Sequence, residues 1–333
     1  MRATGSQSSI KFVQEKTWKE VVVKANMAEV YGLNVRSCNL GGKKGQFQSE
    51  TINQYRAIVG LGDGNKVVDG NIVTDFLPEG LEVPLRHLLG KGTIVTSGTG
   101  PYTHTLKGSA DSMQGLMIQK AFTNVDEYFI YTGNRINSMA INIIQEGFHD
   151  VTWDMIGSTE TISATDQMLV NADDDPPVYP TKSGFTGYDC VVSTDHATPG
   201  TFVAISNVTD GNINISNSVE TDGYVLGSDE RASAELGMRE CSGAFKMFFS
   251  DSTLYALFNS GIECGLRFTF DNETDSITFE FPKVKIQGDS PAIESASGVN
   301  LNLTFKARYD TTTSTDVTVT IVNSTATIDE EPT

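Results

Sequence analysis

The feature that most constrains this chain is a strand-plus-helix pattern that occurs twice. Residues 71–76 form a strand-like run, and a helical stretch over residues 84–89 follows, closed by Gly90. Residues 244–249 form a similar run, followed by a helical stretch over residues 253–258 closed by Asn259. Leu85/Leu88/Leu89 and Leu254/Leu257/Phe258 share the i, i+3, i+4 spacing of one helix face. A supersecondary unit used twice points to duplication and has to be read before anything else.

The match extends along the chain. The first copy continues through strand-like runs at 115–119, 128–136 and 147–156, the second through 266–270, 277–286 and 298–309. Each is preceded by a long polar stretch, 41–66 in the first and 217–240 in the second. Residues 188–206, with a turn at Pro199-Gly200, stand as the counterpart of residues 9–35. Between the copies, residues 158–186 carry Asp173-Asp174-Asp175-Pro176-Pro177 and read as a linker. Val151, Trp153 and Met155 alternate with Asp150, Thr152 and Asp154, and residues 299–305 and 317–321 alternate likewise. That period of two marks strands with one apolar and one polar face. In the run from Ile277 the parity slips at Pro282-Lys283, which predicts an edge position or a bulge.

The net charge of −18 is unevenly spread. Residues 1–66 hold ten Lys/Arg against five acids, a balance of +5 that leaves −23 for the remainder. This pattern lacks the basic stripe of a nucleic-acid-gripping surface and suits head-to-tail association of copies. No run approaches the ~20 apolar residues of a membrane-spanning helix, and residues 1–6 lack the apolar core of a secretory signal. Cys38, Cys190, Cys241 and Cys264 lie far apart and read as free buried thiols.

Catalytic constellations are missing. His87, His104, His149 and His196 sit in unrelated contexts without a metal-binding spacing. His87 reads as a packed or helix-surface residue, His104 as a strand residue, His149 as facing solvent or a partner, and His196 as exposed. Residues 60–66 (GLGDGNK) lack the closing Gly-Lys-Ser/Thr of a phosphate loop and read as a mobile loop. Asp173–Asp175 lack the spacing and closing Glu of a calcium loop.

Several segments carry a family resemblance: residues 6–18 (SQSSIKFVQEKTW), 70–72 ahead of the first helix, 129–138 (FIYTGNRINS), and 281–285 (FPKVK) followed by 299–309. Together they resemble the tail tube proteins of long-tailed bacteriophages across residues 6–322. The resemblance implies a mainly β fold, here two tandem β-sandwich or half-barrel modules, each with a short flanking α-helix. The first module would span 1–157, the linker 158–186 and the second module 187–322, with a flexible acidic tail over 323–333. It implies a structural virion protein, not an enzyme, without cofactor, that forms stacked rings around a conduit for DNA ejection. Single-domain members place six subunits in a ring, so a doubled chain would build a pseudo-hexameric homotrimer.

The implied partners are further copies of itself, the tape measure, tail terminator and distal tail proteins, and double-stranded DNA passing without specific binding; no membrane is involved. Its place would be the virion tail, assembled in the host cytoplasm. Lumen-facing candidates are Asp150, Asp154, Glu280, Asn302 and Thr304; ring-stacking candidates are Lys43, Lys44, Arg56, Asp229, Glu230 and Arg231. Charge-driven stacking would weaken as salt rises. Alternatives sharing Thr-rich strands are a capsid decoration protein or adhesin, and a carbohydrate-active β-sandwich.

Overall fold

A computed structural model of the chain describes residues 2–328, apart from 53, 56, 91–94, 98–99, 112–113, 251–252, 292–297 and 327. The fold is mainly β. Its first part holds β1 (Ser8–Glu15), β2 (Tyr31–Leu33), β3 (Val35–Cys38), β4 (Gly41–Gln48), β5 (Leu61–Asp75), α1 (Glu82–Leu89), β6 (Val95–Ser97) and β7 (Tyr102–Lys107). It continues with β8 (Gly115–Phe122), β9 (Glu127–Ile143), β10 (Asp150–Gly157) and β11 (Thr159–Ser163). The second part holds β12 (Cys190–Thr194), β13 (Val203–Ala204), β14 (Val208–Ser216), β15 (Glu240–Phe248) and α2 (Thr253–Ser260). There follow β16 (Cys264–Asp271), β17 (Ser276–Gly288), β18 (Asn300–Ala307) and β19 (Thr318–Asn323).

Every pairing between these strands is antiparallel. In the first part the order runs β2-β1-β8-β9-β10-β5, with β3 and β4 on the far edge of β5. In the second it runs β13-β12-β16-β17-β18-β15-β14. The next strand in each, β11 or β19, pairs with the opening segment of the long strand, β9 or β17. Bulges fall at matching places. One lies between Leu116 and Ile118 against β9, its counterpart between Cys264 and Leu266 against β17. Another lies between Val35 and Ser37 against β5, its counterpart between Val208 and Asp210 against β15. The slipped parity at Pro282-Lys283 is the first of these bulges seen from the sequence.

The two parts are sewn together. β14 pairs with residues 138–143 of β9, and β19 pairs with β7. One apolar cluster crosses both, with Phe76 edge-on to Phe270 at 4.7 Å between ring centroids and Phe185 beside both. Truncating a ring of this kind typically costs about 3–5 kcal/mol. The α1 stretch is buried along its whole length. Pro84 sits in its first turn, where the missing N–H breaks no bond. Gly90 ends it at φ 97°, donating its N–H to the Arg86 carbonyl, and a Cβ there would stand 2.4 Å from the Asp111 carbonyl oxygen.

Four sequence expectations change. The tract expected as a free linker carries β11 and packs: Met168 and Phe185 are fully buried, and Phe185 exchanges backbone bonds with Phe76 and His149. Residues 60–66 are no mobile loop, since 61–66 open β5 and pair with β4. His149 is buried, not exposed: its ring meets Phe270 edge-on, its Nδ1 accepts from the Ile144 amide, and burial lowers its pKa. The segment expected as a flexible tail begins inside the fold. Asn323 is fully buried, with its side-chain amide donating to the Pro78 carbonyl and to Glu82. Residues 329–333 lie outside the described residues.

Candidate functional site

Alternation in seven strands puts their apolar residues into the core and leaves the opposite face polar. The register carries one row across the join: Asp75, Asp150, Asn142, Asn212, Ala244, Thr304 and Gln287, on β5, β10, β9, β14, β15, β18 and β17 in turn. A second row runs Asn71, Asp154, Ser138, Ser216 and Glu240. A third runs Val73, Thr152, Ala140, Asn214, Ser242, Lys306 and Lys285. Asn302 stands opposite Lys246 on the same face. The lumen candidates Asp150, Asp154, Asn302 and Thr304 therefore share one surface. Glu280 does not join them: it pairs across to Arg267, whose guanidinium donates to it at 2.6 Å and stacks on Phe202.

Part of the charge on this surface is tethered. Arg36 pairs with Asp75 and reaches Asp150 at 3.6 Å; Lys306 meets Glu240 at 2.9 Å; Asn137 donates to Asp154 at 2.6 Å. Acids predominate on the β5–β10 side, and lysines 246, 285 and 306 lie on the β15–β18–β17 side. The face is mostly amides and hydroxyls, with part of its charge paired.

The stacking candidates find partners within the chain. Lys43 pairs with Asp69 and Lys44 with Asp63, both at 2.8 Å. Asp229 lies 3.4 Å from Lys66 and 3.9 Å from Lys44, and Glu230 lies 2.7 Å from Lys19. Lys19, with Lys66 behind it, holds the Glu230 carboxyl below the usual range. Arg231 is not a surface residue. It is 2% exposed, and its guanidinium donates to the carbonyls of Gly157 and Thr221. Arg56 lies outside the described residues.

What the sequence reading missed in the projecting β4–β5 hairpin is its apolar character. Read as polar, it exposes Phe47, Ile52, Tyr55, Ile58, Val59 and Leu61, each more than half accessible. The available signal was the recurrence of large apolar residues through a glycine-rich stretch. Gly62 lets the Phe47 ring lie flat across β5, where a Cβ would stand 2.5 Å from the ring.

Among the described residues no group of three His, Cys, Asp or Glu is placed to hold a metal, and no helix is long and apolar enough to cross a membrane. A family model described as phage tail tube protein matches residues 5–307. No curated protein matches the chain.

Proposed function

The chain belongs to the phage tail tube protein family, and from that premise we propose that it carries two tube modules and that three chains close one pseudo-sixfold ring. It is a structural protein of the virion tail. The observation that carries the three-chain reading is the matched connectivity of its two parts. The same order of strand pairing recurs with bulges at equivalent positions, which gives each part the same set of edges to offer a neighbour.

Rings stack into a hollow tube, and the polar face that crosses seven strands lines the bore through which DNA is ejected. DNA carries one negative charge per ~1.7 Å of duplex, so a lining with free cations would hold it by counterion release. The Lys306–Glu240 pair and the Asn, Ser and Thr rows support a lining with, among the described residues, few free cations, Lys246 and Lys285 included. The projecting hairpin reaches the adjacent ring, and apolar contact at its tip stabilises the stack. Tape measure, terminator and distal tail proteins meet the tube along its bore and at its ends, and assembly takes place in the host cytoplasm.

Native mass measurement and cryo-electron microscopy of a single purified ring test the stoichiometry. Three chains with sixfold-like density is the expected result; six chains in one ring would overturn it.

A further inference from the structure

Inside the chain, the join between the two parts has two components. The β14 edge at Ile213 and Ile215 is paired with β9 at Ile141 and Met139. The end of β9 also fills a crevice against the second part: Ile143, Ile144 and Gln145 close a remnant space of only about 70 Å³ lined by Cys190, Val192, Val208, Gly211 and Phe268.

The shared register identifies the counterpart of each position in the first part. Cys38 opposes Ile72 as Gly211 opposes Phe245, and Gly41 opposes Asp69 as Asn214 opposes Ser242. The counterparts of the five crevice residues are Ser8, Ile10, Val35, Cys38 and Lys120. All five line one groove, and that groove is open, at about 700 Å³. Beside it runs the β4 edge that corresponds to the covered edge of β14. Its backbone groups are satisfied by side chains. The Leu40 carbonyl accepts from the Lys120 ammonium at 2.5 Å, and the Gly42 amide donates to Glu160 at 2.8 Å. Where Lys120 stands in the first part, Phe268 stands in the second. The strand that would cover this edge has a counterpart too: residues 285–288 of β17 have β18 on one side and no strand on the other among the described residues.

We infer that the end of β17 in one copy pairs antiparallel with the Leu40–Lys43 edge of a second copy, repeating between chains the seam that β9 and β14 make within one. Transfer of the internal register sets Gln287 opposite Lys43, Gly288 opposite Gly42 and Asp289 opposite Gly41. The backbone of β17 takes over the bonds that Lys120 and Glu160 hold. An edge capped by a lysine and a glutamate is shielded from indiscriminate pairing in the free chain and still open to exchange for the matching strand. The inference rests on the ring reading but is separable from it.

Directly opposed residues of an antiparallel pair have Cα atoms about 4.5–5.5 Å apart, within disulfide reach. Gln287 and Lys43 are both exposed, so cysteines there leave the core alone. The test uses the full chain with the half-buried Cys38 and Cys190 changed to serine. Assembled tubes of the Gln287→Cys/Lys43→Cys variant are oxidised and run on a non-reducing denaturing gel. The expected result is a ladder that stops at a covalent trimer. A control with Gln287→Cys/Lys44→Cys, whose second cysteine faces the other side of β4, stays monomeric. Co-assembly of the two single variants should give covalent dimers only, which excludes bonding within a chain. A ladder reaching six chains would uphold this seam and overturn the three-chain ring. Well-formed tubes in which the two pairs cross-link equally, or not at all, would overturn the seam and leave the tube intact.

Discussion

The two parts of the chain enter the strand before the helix through insertions of comparable length, and the insertions have opposite fates. Residues 41–66 form a two-stranded hairpin that stands clear of the body with a row of bare apolar side chains. Residues 217–240 fold down onto the first part. Val219 and Ala234 are buried against Ile156 with Trp18 and Leu236 beside them, Arg231 is sunk, and the Tyr224 hydroxyl donates to the Lys66 carbonyl at 2.8 Å. One insertion has its partner within the same chain; the other awaits one. The comparison teaches that burial in an isolated subunit does not rank importance, because the hairpin shows the surface that the folded-down segment has already lost.

The sharpest break of this comparison removes the apolar tip. Ile58→Asp with Leu61→Asp is expected to abolish tube formation, seen by electron microscopy, while shifting chain stability by no more than about 0.5 kcal/mol, as for other exposed sites. A variant that still makes tubes of normal length would show that the hairpin is no contact.

Arg231→Ala should do the reverse. It leaves the Gly157 and Thr221 carbonyls without donors and a cavity beneath Tyr224, whose ring the guanidinium stacks on at 5.4 Å. The expected cost is about 2–4 kcal/mol in denaturant unfolding of the subunit. Loss of assembly without loss of subunit stability would return Arg231 to the surface role the sequence suggested.

Why that residue was misread is instructive. The bulge at Pro282, both helices and the polar rows were legible, because period and turn chemistry are local properties. Arg231, His149 and residues 60–66 were not. An arginine is buried only when acceptors converge on it, here the carbonyls of Gly157 and Thr221, and nothing beside Arg231 in sequence announces them. His149 carries the polar look of a strand end, and its burial comes from Phe185 and Phe270, far along the chain. Residues 60–66 looked like a loop because glycine normally weakens a strand. In this hairpin Gly62 makes room for Phe47, and Gly64 lies against Gly45 across the ladder. The expectation of charge-driven stacking likewise could not foresee that Asp229 and Glu230 fold back onto Lys66 and Lys19.

The smallest effect concerns the platform on which the folded-down segment rests. Glu15 is fully buried; its two carboxyl oxygens accept from the Gly133 and Lys19 amides, and burial raises its pKa to about 7. Lys19 is held at φ 70° in that turn and reaches out to Glu230, so the carboxyl fixes the turn that meets residues 217–240. A raised folded-state pKa means that the stability linked to this group is complete below the unfolded value near 4.5 and is lost as pH rises through about 7. Between pH 6 and 8 the subunit should lose about 1 kcal/mol through this group. Glu15→Gln keeps an acceptor and removes the titration, so its stability should be flat across the same window while the parent declines. The hairpin side of the molecule has no part in this linkage, so proteolytic nicking with rising pH should increase in residues 217–240 and stay constant in residues 49–60. Equal slopes for parent and variant would detach Glu15 from the platform and leave the folded-down segment held by its apolar contacts, Arg231, Tyr224 and the ion pairs of Asp229.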